Sequence, residues 1–239
     1  MCRMLGMVSE RPQPVADLLL DAPHSLLRQS RMSCQPNSGC GPHADGWGLA
    51  WRTDGSVRLA KSGKSAGNDP EFPRQAREPV TDLLLAHVRQ ASHGATNPEN
   101  AHPFQTPDRR LTLAHNGTIH CGEGFHLAEG RTDSAVFLDW LSARWRGQGG
   151  ELVQLLRQAA GSFGYSALNL LLTDGERLYA LRCFSPTQKH AAYYTLFFRE
   201  SAGRLVVASE PPDEVGGWVP LDNGELLVAA PGSLERIRI

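Results

Sequence analysis

Met1-Cys2-Arg3-Met4-Leu5-Gly6-Met7-Val8 opens the chain and alternates polar and apolar residues too briefly for a helix. It reads as a buried strand that begins at the mature N-terminus. The stretch has neither the basic n-region nor the apolar h-region of a signal peptide, so none is expected. Removal of Met1, expected before a residue as small as cysteine, leaves both a thiol and a free α-amine on Cys2. The amine, with a pKa near ~8, takes the thiol proton directly or through a water, so one residue supplies nucleophile and base. The alternative is a buried cysteine that acts as a small hydrophobe.

Outward from this strand, Val15, Leu18, Leu19 and Leu20 follow Pro12 and Pro14 in a short helical pattern. A second covers Ser25 to Arg31, with Leu26 and Leu27 as its buried pair. The Gly-rich stretch Ser33 to Asp45 has no periodicity and reads as a loop able to lie over a site. Cys34 and Cys40 enclose five residues there, with His43 close by. Zinc would want tighter cysteine pairs or a second cluster downstream, so no metal is expected.

Strands dominate from Gly46. Trp47 to Trp51 and Ser56 to Leu59 flank Thr53-Asp54-Gly55, a hairpin signal, and Asp-Gly recurs at Asp174-Gly175 between apolar runs. Asn223-Gly224 precedes Leu226 to Ala229, and buried strands are expected at Leu83 to Val88, Leu111 to Ala114, Tyr193 to Phe198 and Leu205 to Ala208. Between the strand runs fit two longer helices. One starts near Thr132 and carries Ala135, Val136, Leu138, Leu141 and Trp145; the other covers Leu152 to Ala159. Strands, then helices, then strands argue for layered sheets with segregated helices, an α+β architecture. Trp47 and Trp51, flanked by Gly and Ala, belong in a core more readily than in a pocket.

Composition removes other classes. The 239 residues are 41% hydrophobic and 21% charged with a net charge of −1, which gives no argument for nucleic acid or an anionic membrane as partner. No apolar run approaches the ~20 residues that span a bilayer. Five cysteines in no regular framework leave at least one unpaired and favour reduced thiols and a cytoplasmic location.

Three polar constellations remain, the first two directly after apolar strands and the third at the start of a helix. In His87-Val88-Arg89-Gln90-Ala91-Ser92-His93-Gly94, an Arg at a strand end offers a planar fork for a carboxylate, or simply pairs with a surface acid. In His115-Asn116-Gly117, an Asn amide and a Gly N–H point at one oxygen, as an oxyanion hole requires, or form a turn. In Thr132-Asp133, Thr132 caps a helix and Asp133 either favours the dipole or holds an ammonium group.

Together and in this order, Cys2, His-x-Arg-x-x-Ser-His-Gly, His-Asn-Gly and Thr-Asp resemble the glutaminase domain of class II glutamine amidotransferases. The resemblance takes in Ala44-Asp45-Gly46-Trp47-Gly48, Asn97 to Phe104 and Ser209-Glu210-Pro211, and covers most of the chain. It implies an N-terminal-nucleophile hydrolase with a four-layer αββα sandwich, one domain over residues 2–239, and no cofactor. It further implies that Cys2 attacks an amide carbon with its own amine as base, and that Asn116 and Gly117 hold the oxyanion. Arg89 then binds the α-carboxylate of a γ-glutamyl substrate, Asp133 its α-ammonium, and His93 supports. Two departures stand out: Ser92 precedes His93 where the family often has Thr, and Gln90 stands where synthase-linked members often have an aromatic.

The chain leaves no room for a synthase domain, which points to the stand-alone branch. Leu18 to Ser30 resembles members that remove a γ-glutamyl group in ergothioneine biosynthesis, and Gly41 to Phe104 resembles uncharacterised bacterial stand-alone members. The implied activity is cleavage of a γ-glutamyl amide through a Cys2 thioester, releasing ammonia or a larger amine. A separate synthase or peptidase subunit is a candidate partner. A non-catalytic fold with Met1 retained is the other reading.

Overall fold

Alternation of side chains along the central strands explains how the chain layers itself. The computed structural model describes residues 2–32, 41–91, 94–127, 130–188 and 193–239. Among these, seven strands form one sheet in the order β13 (Val219–Pro220), β11 (Phe197–Ser201), β12 (Arg204–Ala208), β1 (Arg3–Pro14), β4 (Val80–Val88), β2 (Trp47–Thr53), β3 (Ser56–Ser62). Six more form a second sheet in the order β15 (Ser233–Arg238), β14 (Glu225–Ala230), β10 (Leu178–Arg182), β9 (Asn169–Thr173), β6 (Thr112–Asn116), β5 (Phe104–Gln105). A short ribbon pairs β7 (Ile119–Cys121) with β8 (Gly164–Tyr165).

Successive residues on a strand face opposite sides of its sheet. Met4, Val8, Leu83, Leu85 and Val207 of the first sheet therefore meet Ala114, Leu171, Leu178 and Leu227 of the second, forming a layer between the sheets. The alternate set, Leu5, Met7, Trp47, Leu49 and Leu84, faces outward onto a π-helical turn at Asp17–Asp21, α1 (Leu26–Arg31) and α2 (Glu71–Arg77). On the far side, Leu113, Leu170, Leu172 and Leu181 pack with α3 (Asp133–Arg144) and α4 (Gly149–Ser162). The result is the four-layer αββα sandwich of the α+β class that the resemblance implied. No helix among the described residues is long and apolar enough to cross a membrane.

The structure adjusts several expectations. β1 runs on to Pro14 instead of ending near Val8. In α1, Leu26 is buried but Leu27 is half-buried, and Gln29 and Ser30 take the other inner positions. His115 and Asn116 lie inside β6 and not beyond it. Tyr193 and Tyr194 precede β11; their rings meet edge-on with centroids 5.9 Å apart, and the Arg3 guanidinium lies 4.1 Å from the Tyr193 centroid. Trp47 and Trp51 are core residues; Trp47 packs edge-on to Phe72 and donates from Nε1 to Asp69 Oδ2 at 3.0 Å.

Candidate active site

The same alternation aims the site residues. Cys2 precedes Arg3 with the parity of Met4, and Asn116 has the parity of Ala114, so both point into the open end of the layer between the sheets. The Cys2 N–H donates to Asn116 Oδ1 at 3.0 Å, and the thiol contacts the Gln90 carbonyl oxygen at 3.7 Å. Burial pushes the Cys2 thiol up from its ordinary value, and the positive chain terminus, Arg89 and Arg3 partly oppose it. Asn116 Nδ2 is a buried donor with no partner among the described residues. A buried donor in that state is stabilised by whatever acceptor enters beside it.

Gly117 leaves β6 at φ +151°, where a Cβ would stand 2.0 Å from the Ala167 carbonyl oxygen. β6 and β7 belong to different sheets, so this Asn-Gly pair is not a hairpin turn. His115, of opposite parity, faces α3: its Nδ1 lies 2.9 Å from Ser134 Oγ and its Nε2 lies 3.0 Å from the Ala167 carbonyl. A carbonyl only accepts, so the proton is assigned to Nε2 and Nδ1 accepts from the serine. His115 thereby fixes the carbonyl that crowds Gly117.

Arg89 follows β4 and is buried in the wall. Its backbone is clamped by Gly46 and Asp45: Arg89 N–H donates to Gly46 O at 2.8 Å and Asp45 N–H donates to Arg89 O at 3.0 Å. The Asp45 carboxylate accepts from Ala91 N–H at 2.8 Å, and Arg89 Nη1 donates to Ala95 O at 2.9 Å. Asp133 opens α3 behind Thr132, whose hydroxyl caps Ala135 N–H at 3.3 Å. Its Oδ2 accepts from Ile119 N–H at 2.7 Å, and its Oδ1 accepts from Ser134 N–H at 2.8 Å with Ser134 Oγ 3.3 Å away, so Oδ2 keeps a lone pair for a further donor.

Cys2, Arg89, Asn116, Gly117 and Asp133 all line one cavity of about 390 Å³, together with Gly94, His102, Thr118, His120, Arg131 and Tyr194. His93 falls outside the described residues, as do Cys34 and Cys40. His43 is engaged elsewhere, with Nδ1 2.9 Å from Gln29 O and Nε2 3.2 Å from the Tyr193 hydroxyl. Among the described residues, no group of three or more His, Cys, Asp or Glu is placed to hold a metal ion.

The sequence reading assigned no role to the floor of this cavity. The His102 ring lies against His87, tilted by 31° with centroids 4.3 Å apart, and both are buried. Burial holds both imidazoles well below the usual histidine value, so both are neutral at pH 7. Gly48 makes room for this segment, since a Cβ there would meet the His102 carbonyl oxygen at 2.2 Å. Gly48 and His102 both sit in stretches that carry the resemblance, which was the available signal.

A family model described as glutamine amidotransferases class-II matches residues 1–238. The gamma-glutamyl-hercynylcysteine sulfoxide hydrolase of Mycolicibacterium smegmatis is 30% identical over 232 residues, covering 95% of this chain and 95% of that protein. Among solved structures, a glutamine aminotransferase class-II domain protein from Silicibacter pomeroyi superposes with a TM-score of 0.65 at 22% identity, covering 99% of both chains. The glutamine phosphoribosylpyrophosphate amidotransferase of B. subtilis gives a TM-score of 0.64 at 18% identity, over 99% of this chain and 49% of that one. The last two share the fold.

Proposed function

This chain belongs to the class II glutamine amidotransferases, and from that premise we propose that it hydrolyses a γ-glutamyl amide through a thioester on Cys2, with residues 2–239 acting as one catalytic unit. Loss of Met1 frees the Cys2 amine, which accepts the thiol proton. Sγ attacks the γ-carbonyl carbon, and the oxyanion is held by Asn116 Nδ2 and the Gly117 N–H. The leaving amine departs with the proton from the Cys2 ammonium. Water, activated by the same amine, then cleaves the thioester and releases glutamate. Arg89 takes the substrate α-carboxylate and Asp133 its α-ammonium, and His93 is a supporting residue.

One observation carries this reading: five residues scattered from position 2 to position 133 meet on one cavity, and the Asn116 donor in its wall lacks a partner. The Mycolicibacterium relative's name specifies a γ-glutamyl group on a larger metabolite. A cavity of about 390 Å³ lies within the roughly 300–1,000 Å³ of small-molecule sites, and the relative's name favours an amine leaving group larger than ammonia.

The test pairs an intact mass with glutamate release from glutamine and from a γ-glutamyl dipeptide. We expect loss of one Met residue, preference for the dipeptide, and no turnover by a folded Cys2→Ala variant. Activity retained by Cys2→Ala would sink the mechanism. Preference for glutamine would redirect the search to a synthase subunit that takes the ammonia. Met1 retained with neither substrate cleaved would leave a silent member of the family.

A further inference from the structure

The Ser209-Glu210-Pro211 stretch, far from Cys2 in sequence, has no part in the mechanism above. In the fold it reaches the other face of the nucleophile. Ser209 extends the β1–β12 ladder: its N–H donates to Met4 O at 2.9 Å and its hydroxyl accepts from Met4 N–H at 3.1 Å. That pairing sets Glu210 beside Arg3, which has the opposite parity to Cys2 and points to the helix side of the sheet. Arg3 is wholly enclosed, and its Nε and Nη2 both bond the Glu210 carboxylate. Its remaining Nη1 donates back to the Cys2 carbonyl at 3.2 Å.

Tyr193 packs under the guanidinium, centroid 4.1 Å away, and its hydroxyl lies 3.4 Å from the same Cys2 carbonyl. That hydroxyl is also tied to His43 and, through it, to the Gln29 carbonyl in α1. A buried ion pair is a poor source of net stability, because desolvation offsets the attraction. A planar fork with one edge on a carboxylate and another corner on a neighbouring carbonyl is well suited to fixing geometry.

We propose that Arg3, held by Glu210 and Tyr193, is a positioning residue for the nucleophile. It fixes the Cys2 carbonyl from the helix side while Asn116 fixes the Cys2 nitrogen from the cavity side, so the thiol has one direction in which to attack. This rests on the reading of Cys2 as nucleophile, and wild-type turnover with its loss in Cys2→Ala establishes that separately.

The experiment compares steady-state kinetics and Tm of wild type, Arg3→Lys and the double variant Arg3→Met/Glu210→Gln on the preferred γ-glutamyl substrate. Arg3→Lys keeps the charge pair and loses the fork, so it should fold even if the double variant does not. We expect kcat to fall about 10- to 100-fold in both, since small displacements of reacting groups cost that much. KM should stay within about two-fold, because Arg89 and Asp133 still bind the substrate head. Cys2 in folded Arg3→Lys should also react more slowly with iodoacetamide at saturating pH. Arg3→Lys with wild-type kcat, or with kcat falling only in proportion to lost folded protein, overturns the proposal.

Discussion

Asp54-Gly55 and Asn116-Gly117 are dipeptides of the same kind, and the fold uses them in opposite ways. Gly55, at φ +73°, closes the β2–β3 hairpin, where Thr53 sits opposite Ser56 and a Cβ would meet nothing within 4 Å. Gly117, at φ +151°, joins strands of different sheets, and a Cβ would meet the Ala167 carbonyl at 2.0 Å. Both glycines occupy backbone conformations that disfavour other residues. Only at Gly117 does the surrounding packing add a second requirement. Crowding around the glycine, and not the turn signal, distinguishes a connector from the edge of a cavity.

Gly117→Ala attacks the functional member of the pair and should have the largest effect. The added methyl must displace the Ala167 carbonyl, and it also crowds the His115 ring bonded to that carbonyl, so we expect glutamate release to become undetectable and Tm to fall. Wild-type turnover would show that the close approach to Ala167 does not constrain the site. Asn116→Ala comes next. Loss of one oxyanion donor costs about 10²–10³ in kcat. The side chain otherwise serves the Cys2 N–H, so Tm should change little. A defect confined to KM would assign Asn116 to substrate binding instead.

The contrast also marks what the sequence could reveal. β4 and β12 were legible as apolar runs because both faces of those strands are buried by different partners, and the clusters at Arg89 and Asn116 were legible because each follows an apolar strand. The Asp54-Gly55 hairpin is a local event and was read correctly. α2 was missed because Pro73 sits in its first turn, a position that tolerates proline but hides the helical signature. β15 was missed because its exposed face carries Arg and Glu with little alternation. The Arg3–Glu210 pair and the His87–His102 pair depend on contacts across the sandwich, which no local pattern encodes.

A third effect, of intermediate size, separates the two regions by pH. Among the described residues no buried histidine accompanies the hairpin tip, whereas His87, His102 and His115 are buried around the cavity and held below the usual value by burial. Because the folded rings resist protonation, the unfolded chain binds more protons once pH falls below about 6.5. Stability from these groups is therefore fully present above that pH and declines below it, by up to about 1.4 kcal/mol per pH unit for each ring. Asp82 and Asp213 are held low by Arg52 and Arg199, and their contributions are lost only below about pH 4. Tm should thus fall between about pH 7 and 5, and His102→Phe, which keeps a ring against His87, should flatten the fall. An unchanged slope would place the titrating groups elsewhere.

Gly55→Ala is the smallest change and the sharpest control. The methyl meets open space, so the expected cost is only that of a left-handed alanine, about 1–2 kcal/mol. In a chain of this size that lowers Tm by about 2–8 °C. Turnover should not change, because the hairpin tip lies at the far end of β2 from Gly48, where the strand meets the His102 carbonyl. A fall in kcat would mean that β2 transmits a shift along its length to the cavity floor, and Gly48 would then be the contact to probe. A small loss in Tm with full activity would leave strain at the hairpin a purely local matter, and would assign the sensitivity of Gly117 to its neighbours and not to its dihedral angle.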